Sequence, residues 1–187
     1  MFRTALLATV CLLPAACGNI QPFVPDTARL TTAQLGSGLD PDVTAVNQAN
    51  WAFGDSSRTY GRPIEAARAA ASMDYIAGQL YTSPRWSSIS PLTKEQLLQG
   101  RIEVRQALGI PPDTRSQAVV DHLTAAGNAL AAGNQAAALA ELSGPTFTTP
   151  PEQVLARLSN MPYLRMANIS TSHAEGELFN NDSDLRR

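Results

Sequence analysis

Residues 63–81 read PIEAARAAASMDYIAGQLY, and this stretch decides the fold class. Ala69, Met73, Ile76 and Leu80 follow one another at spacings of four, three and four. Those intervals line one face of an α-helix and cannot line one face of a strand. Pro63 stands where a helix tolerates proline, in its first turn. Ser83-Pro84 ends the pattern, because proline disfavours helical geometry in the residue before it. Alanine, the strongest helix former, supplies 29 of the 187 residues.

The same signals recur outward from this stretch. Upstream, Asp40-Pro41 reads as an N-cap followed by a first-turn proline, with Val43, Val46 and Phe53 on one face. Gly54-Asp55-Ser56-Ser57 breaks that helix. Downstream, a connector carries Trp86 and Ile89. Ser90-Pro91, or a Thr93–Gln96 box, then opens a third helix. Its face is Leu97, Arg101, Val104 and Leu108, flanked by Leu98 and Ile102, and Gly109 with Pro111-Pro112 closes it. A fourth helix starts near Asp113 or Thr114, presents Val119, His122 or Leu123, Ala126 and Leu130, and stops at Gly133. Asn134 caps a short fifth helix through Leu142. Thr149-Pro150-Pro151-Glu152 gives the clearest start signal of all, before Val154, Leu155 and Leu158. A last helix is expected from Pro162 to Leu178. No stretch alternates apolar and polar residues at period two, so the expectation is an all-α domain. It is a helical bundle or helical-hairpin array of about five to seven helices.

The segment His122–Leu142, with Gly127, Ala129, Gly133-Asn134 and Ala137-Ala138, resembles a single helical hairpin of tetratricopeptide type. Small residues there would let its two helices approach closely. No second copy follows at a 34-residue period.

The N-terminus has a different grammar. Met1-Phe2-Arg3 is a positive start, Thr4–Leu13 an apolar run, and Pro14-Ala15-Ala16 a small-residue exit. This is the layout of a secretory signal, too short to span a bilayer. Cys11 would leave with the signal, making Cys17 the sole cysteine of the mature chain and excluding an intrachain disulfide. A cysteine directly after Ala15-Ala16 resembles the bacterial lipobox. The resemblance implies a diacylglycerol on the Cys17 thiol and further acyl chains such as palmitate. With Gly18 rather than aspartate at the second mature position, it implies an outer-membrane anchor facing the periplasm. Ordinary signal-peptidase cleavage, giving a soluble periplasmic protein, is the alternative. The expected divisions are a signal peptide at 1–16, the anchor and a flexible tether at 17–39, the all-α domain at 40–178 and a disordered tail at 179–187. The 22 residues from Gly18 to Leu39 would reach at most about 70 Å extended, or about 26 Å as a coil.

Charge excludes one class of partner. The net charge is −2, so no basic excess exists to draw a nucleic acid. Metal chemistry lacks its spacing. His173 and Glu177, four apart, form at most a helix-surface pair, and a zinc site needs three or four ligands. No nucleophile elbow, phosphate loop or cofactor motif is present. The aromatic residues are more informative. Trp51, Phe53, Tyr60, Tyr75, Tyr81 and Trp86 fall close together, interleaved with Arg58, Arg62, Arg68 and Arg85. They are either core of the first two helices or a binding face, since Trp, Tyr and Arg dominate interface hot spots. Trp51 is expected in the core. Trp86, Arg85, Tyr81, Tyr60, Arg58 and Arg62 are the candidate binding residues. The expected function is therefore a membrane-anchored, non-enzymatic module that binds or scaffolds a protein or envelope polymer, without cofactor or metal. The alternative is an envelope enzyme or accessory subunit whose site forms only in the fold.

Overall fold

The computed structural model describes residues 24–30 and 40–184, with side chains as far as Phe179. The signal segment, Cys17 and Gly18 lie outside the described residues. Among those residues the chain forms seven α-helices and no strand. They are α1 Pro41–Gly54, α2 Pro63–Thr82, α3 Pro91–Leu108, α4 Ser116–Ala131, α5 Gln135–Glu141, α6 Pro151–Ser159 and α7 Arg165–Asp184. Short 3-10 turns, Ser56–Arg58 and Pro84–Trp86, flank α2. The all-α expectation holds.

Four helices close a ring in which α1 meets α2, α2 meets α3, α3 meets α7 and α7 meets α1. Directions follow from the bonds between them. Asp42 near the start of α1 accepts from Tyr75 late in α2. Tyr81 at the end of α2 donates to Glu95 in the first turns of α3. Asn168 in the first turn of α7 donates to the carbonyl of Phe53 at the end of α1. The ring is an up-down-up-down four-helix bundle, with α4, α5 and α6 inserted between its third and fourth members. The inserted α4 packs along the outer side of α2, α5 packs on α4, and α6 lies against α2, α3 and α5.

Helix α2 is thus enclosed on nearly every side, and its alanines make that enclosure feasible. Ala66, Ala67, Ala69, Ala70, Ala71 and Ala77 are buried together with Met73, Ile76 and Leu80. A helix buried all round cannot be amphipathic, so the four-residue stripe in its sequence understates how much of it is core. Gly100 in α3 marks the tightest crossing of the bundle. A Cβ there would come within 2.4 Å of Met73 Cε, 2.8 Å of Ser170 Oγ and 3.1 Å of Ala167 Cα. The α4–α5 pair is a hairpin turned at Gly133, φ 72°. Its Gly127, however, faces Ala67 and Arg68 of α2. Gly127 therefore serves the bundle contact rather than the hairpin itself.

Three helix starts are capped from far away in sequence. Glu103 of α3 accepts from the amides of Met166 and Ala167 at the start of α7, at 2.7 and 2.9 Å. Glu177 of α7 returns the favour to α3, accepting from the Ser90 amide and from the hydroxyls of Ser90 and Thr93. Asp26 accepts from the Ser116 amide at 2.6 Å and caps α4. Free amides at a helix start carry partial positive charge, so carboxylates are favoured there.

Several boundaries shift from expectation. The strong start signal at Thr149 is not a cap: Pro150 occupies the cap position, without a side-chain bond, and Thr149 Oγ1 is buried with no partner among the described residues. Helix α7 continues to Asp184, so most of the expected tail at 179–187 is helical. Ile102, expected beside the apolar face of α3, is 38 % exposed. Part of the expected tether is docked as well, because Pro25, Ala28 and Leu30 are buried against the helices. The rest of the tether stretch, 17–23 and 31–39, lies outside the described residues.

Candidate functional site

One end of the bundle gathers the end of α1, the 3-10 turn, the start of α2, the end of α6 and the start of α7. Backbone and side-chain bonds lock these ends together. Gly61, at φ 67°, donates its amide to the carbonyl of Ser159 at 2.8 Å. Asn168 joins α7 to the Phe53 carbonyl at 3.1 Å. Asp55 accepts from the Ser57 amide at 2.9 Å and fixes the 3-10 turn. The Ser57 amide and hydroxyl, with Arg58 nearby, hold the Asp55 carboxyl below its ordinary range.

On this rigid end stand three exposed aromatic residues: Trp51, 41 % exposed, Tyr60, 70 %, and Tyr163, 58 %. Arg58 lays its guanidinium 5.9 Å from the centre of the Trp51 ring and donates to the Trp51 carbonyl at 2.7 Å. The distance suits a cation–π contact. Arg62 and Arg165 are exposed beside the same helix starts. Against these three arginines stand Asp55, Glu65 in the first turn of α2 and Glu103, whose carboxylate already caps the start of α7. The arrangement is a preorganised aromatic surface edged by arginine.

The six candidate residues from the sequence divide between the two ends of α2. Arg58, Tyr60 and Arg62 belong to the surface just described. Tyr81, Arg85 and Trp86 lie about 30 Å away along the helix, at its other end. There Trp86 is a core residue, 8 % exposed, whose indole N–H donates to Asp42 Oδ2 at 2.7 Å. Asp42 is itself buried and also accepts from Tyr75. Burial, followed by the hydrogen bond to Asp42, pushes the Tyr75 hydroxyl far above its ordinary pKa. Arg85 stacks 4.4 Å over the Trp86 ring and pairs with Asp40. Tyr81 is bonded to Glu95 at 3.0 Å. These bonds pin the 84–86 connector to α1.

The expectation for the two tryptophans is therefore reversed. Trp86 is structural, because Asp42 offers its indole a buried acceptor. Trp51 is exposed, because Asp42, Ala45, Val46, Ala49, Ala52 and Phe53 make the buried face of α1. At 100° per residue Trp51 points almost opposite to that face. The helical wheel carried this signal. Tyr163 had none, since it lies in the loop before α7 and only the fold brings it to this end.

His173 contacts Gln96 at 2.8 Å, while Glu177 serves as the α3 cap. His122 Nδ1 lies 3.1 Å from Glu141 Oε2, across the α4–α5 hairpin and half exposed. Among the described residues no group of three or more His, Cys, Asp or Glu could hold a metal ion. An open depression of about 340 Å³ between Pro111, Arg115 and Thr146 holds neither histidine. No described helix is long and apolar enough to cross a membrane. Comparisons with protein-family models, with curated proteins and with solved structures find no match to this chain.

Proposed function

We propose that the chain is a bacterial envelope lipoprotein, acylated at Cys17. In this reading its helical domain is a non-enzymatic binding module that presents the Trp51 end to a protein partner carrying an acidic segment. The lipobox-like Ala15-Ala16-Cys17 at the end of an apolar run supports the anchor. One observation carries the binding role: Trp51, Tyr60 and Tyr163 are exposed together on a surface braced by hydrogen bonds and flanked by arginine. Aromatic residues held rigid in this way lose little entropy on binding, and arginine beside them selects for carboxylates.

Detergent partitioning and pull-down test the two halves. The mature protein should enter the detergent phase, and Cys17→Ser should release it or stall its processing. A fully soluble wild-type protein starting beyond Cys17 would end the lipoprotein reading. After mild crosslinking, Trp51→Ala and Arg58→Ala should each lose a partner that Trp86→Phe retains. Equal recovery of that partner by all three variants removes this surface from the function.

A further inference from the structure

Residues 24–30 form a docked strap. Asp26 places its backbone against Gly78 of α2, where any Cβ would come within 2.4 Å of the Asp26 carbonyl oxygen and 3.0 Å of Thr27 Cα. That carbonyl accepts from Arg101 of α3 at 3.0 Å, and the Asp26 carboxylate accepts from the Ser116 amide of α4. Arg29 exchanges two bonds with the Gln117 side chain, donating at 2.8 Å and accepting at 3.2 Å. Ala28 and Leu30 are 6 % and 7 % exposed and belong to the hydrophobic core. The strap thus touches three helices, and glycine at position 78 makes its seat.

We propose that this strap sets the working distance of the domain from the membrane. The inference rests on the lipid anchor at Cys17. With the strap docked, seven Cα steps separate Cys17 from Val24, a reach of at most about 25 Å. With the strap free, the 23 steps from Cys17 to Asp40 would allow about 80 Å. The docked chain therefore keeps the strap's side of the domain within about 25 Å of the bilayer, against about 80 Å when the strap is free. The Trp51 end sits beyond Pro63, some 15 residues or about 22 Å along α2 from the strap's seat at Gly78. The strap leaves that end uncovered.

Gly78→Ala is the discriminating variant, because alanine favours helix while its methyl occupies the place of the strap. The mature full-length protein is incorporated in phosphatidylethanolamine–phosphatidylglycerol vesicles with a headgroup-bound energy acceptor. A donor sits on Gln99→Cys, the only thiol once Cys17 is acylated. Trypsin cleavage between Arg29 and Leu30 is followed by mass spectrometry on the same samples. Wild type should resist cleavage and transfer energy strongly. Gly78→Ala should be cut at least tenfold faster and transfer less. If circular dichroism shows that Gly78→Ala has lost its helices, Gln117→Ala, which removes both Arg29 bonds, should move both readouts in the same direction. Equal cleavage rates show that no strap is docked, and equal transfer with unequal cleavage shows that the strap does not set the distance. Either result overturns the proposal. A Cys17 without acyl chains overturns the anchor, and the leash with it, while the cleavage comparison still decides docking.

Discussion

Two tryptophans of similar sequence setting have opposite surroundings, and a melting curve separates them. Trp86→Ala should destabilise the domain by about 3–5 kcal/mol, through a cavity and an Asp42 carboxylate left short of a donor. Trp51→Ala should cost less than about 1 kcal/mol, the value of an exposed cation–π contact. A second residue pair carries more of the fold. Asp74 and Arg105, 2 % and 3 % exposed, form a bidentate bridge with both distances 2.7 Å. Arg105 also donates to the carbonyls of Pro112 and Thr114 and to Ser116 Oγ, so it orders the turn into α4. Asp74→Ala should cost about 3–5 kcal/mol, because it strands a buried guanidinium. Asp74→Leu with Arg105→Met should recover part of that loss in urea titrations, since no unpaired charge then remains.

Helices α3 and α7 stabilise each other's first turns through Glu103 and Glu177. Removing either carboxylate by alanine should lower stability by about 1 kcal/mol, the usual value of a cap. The Glu177 contribution depends on pH. Burial pushes its carboxyl up, but the Ser90 amide, the Thr93 and Ser90 hydroxyls and nearby His173 outweigh burial and hold it below the ordinary 4.5. A depressed carboxylate pKa means that the unfolded chain binds the proton first as pH falls. The stabilisation is therefore complete above about pH 5 and is lost as pH drops through the folded value. Urea titrations of wild type and Glu177→Gln should differ most near neutral pH and converge as pH falls below the ordinary carboxylate range. A constant difference across that range would mean that Glu177 does not act through its charge.

Across the whole molecule, protection should follow enclosure. Helix α2 is surrounded by α1, α3, α4 and α6, whereas α5 has seven residues and buries only Ala138. Native-state hydrogen exchange should therefore show α2 amides opening only with global unfolding and α5 amides opening at far lower cost. Slow exchange in α5 equal to that in α2 would mean that the inserted helices fold as one unit with the ring.

Much of this was legible in the sequence because it is local. Spacing at three and four residues, first-turn prolines and the glycines at 109 and 133 set the helices and their order. The same arithmetic on α1, with Val46 and Phe53 turned inward, turns Trp51 outward, a signal that the expectation of a core Trp51 passed over. Only the tertiary structure decided the rest. It closed α1, α2, α3 and α7 into a ring, since a helix's apolar face states that it needs a neighbour without naming one. It put Trp86 on Asp42, 44 residues away, and Tyr163 beside the Trp51 end. It also drew Asp26, Glu103 and Glu177 to helix starts 63 to 90 residues distant. The strap at 24–30 was invisible for the same reason. Pro25, Ala28 and Leu30 form no periodic face of their own, and the strap's Asp26 and Thr27 lie against Gly78, a residue whose only signal is the side chain it lacks.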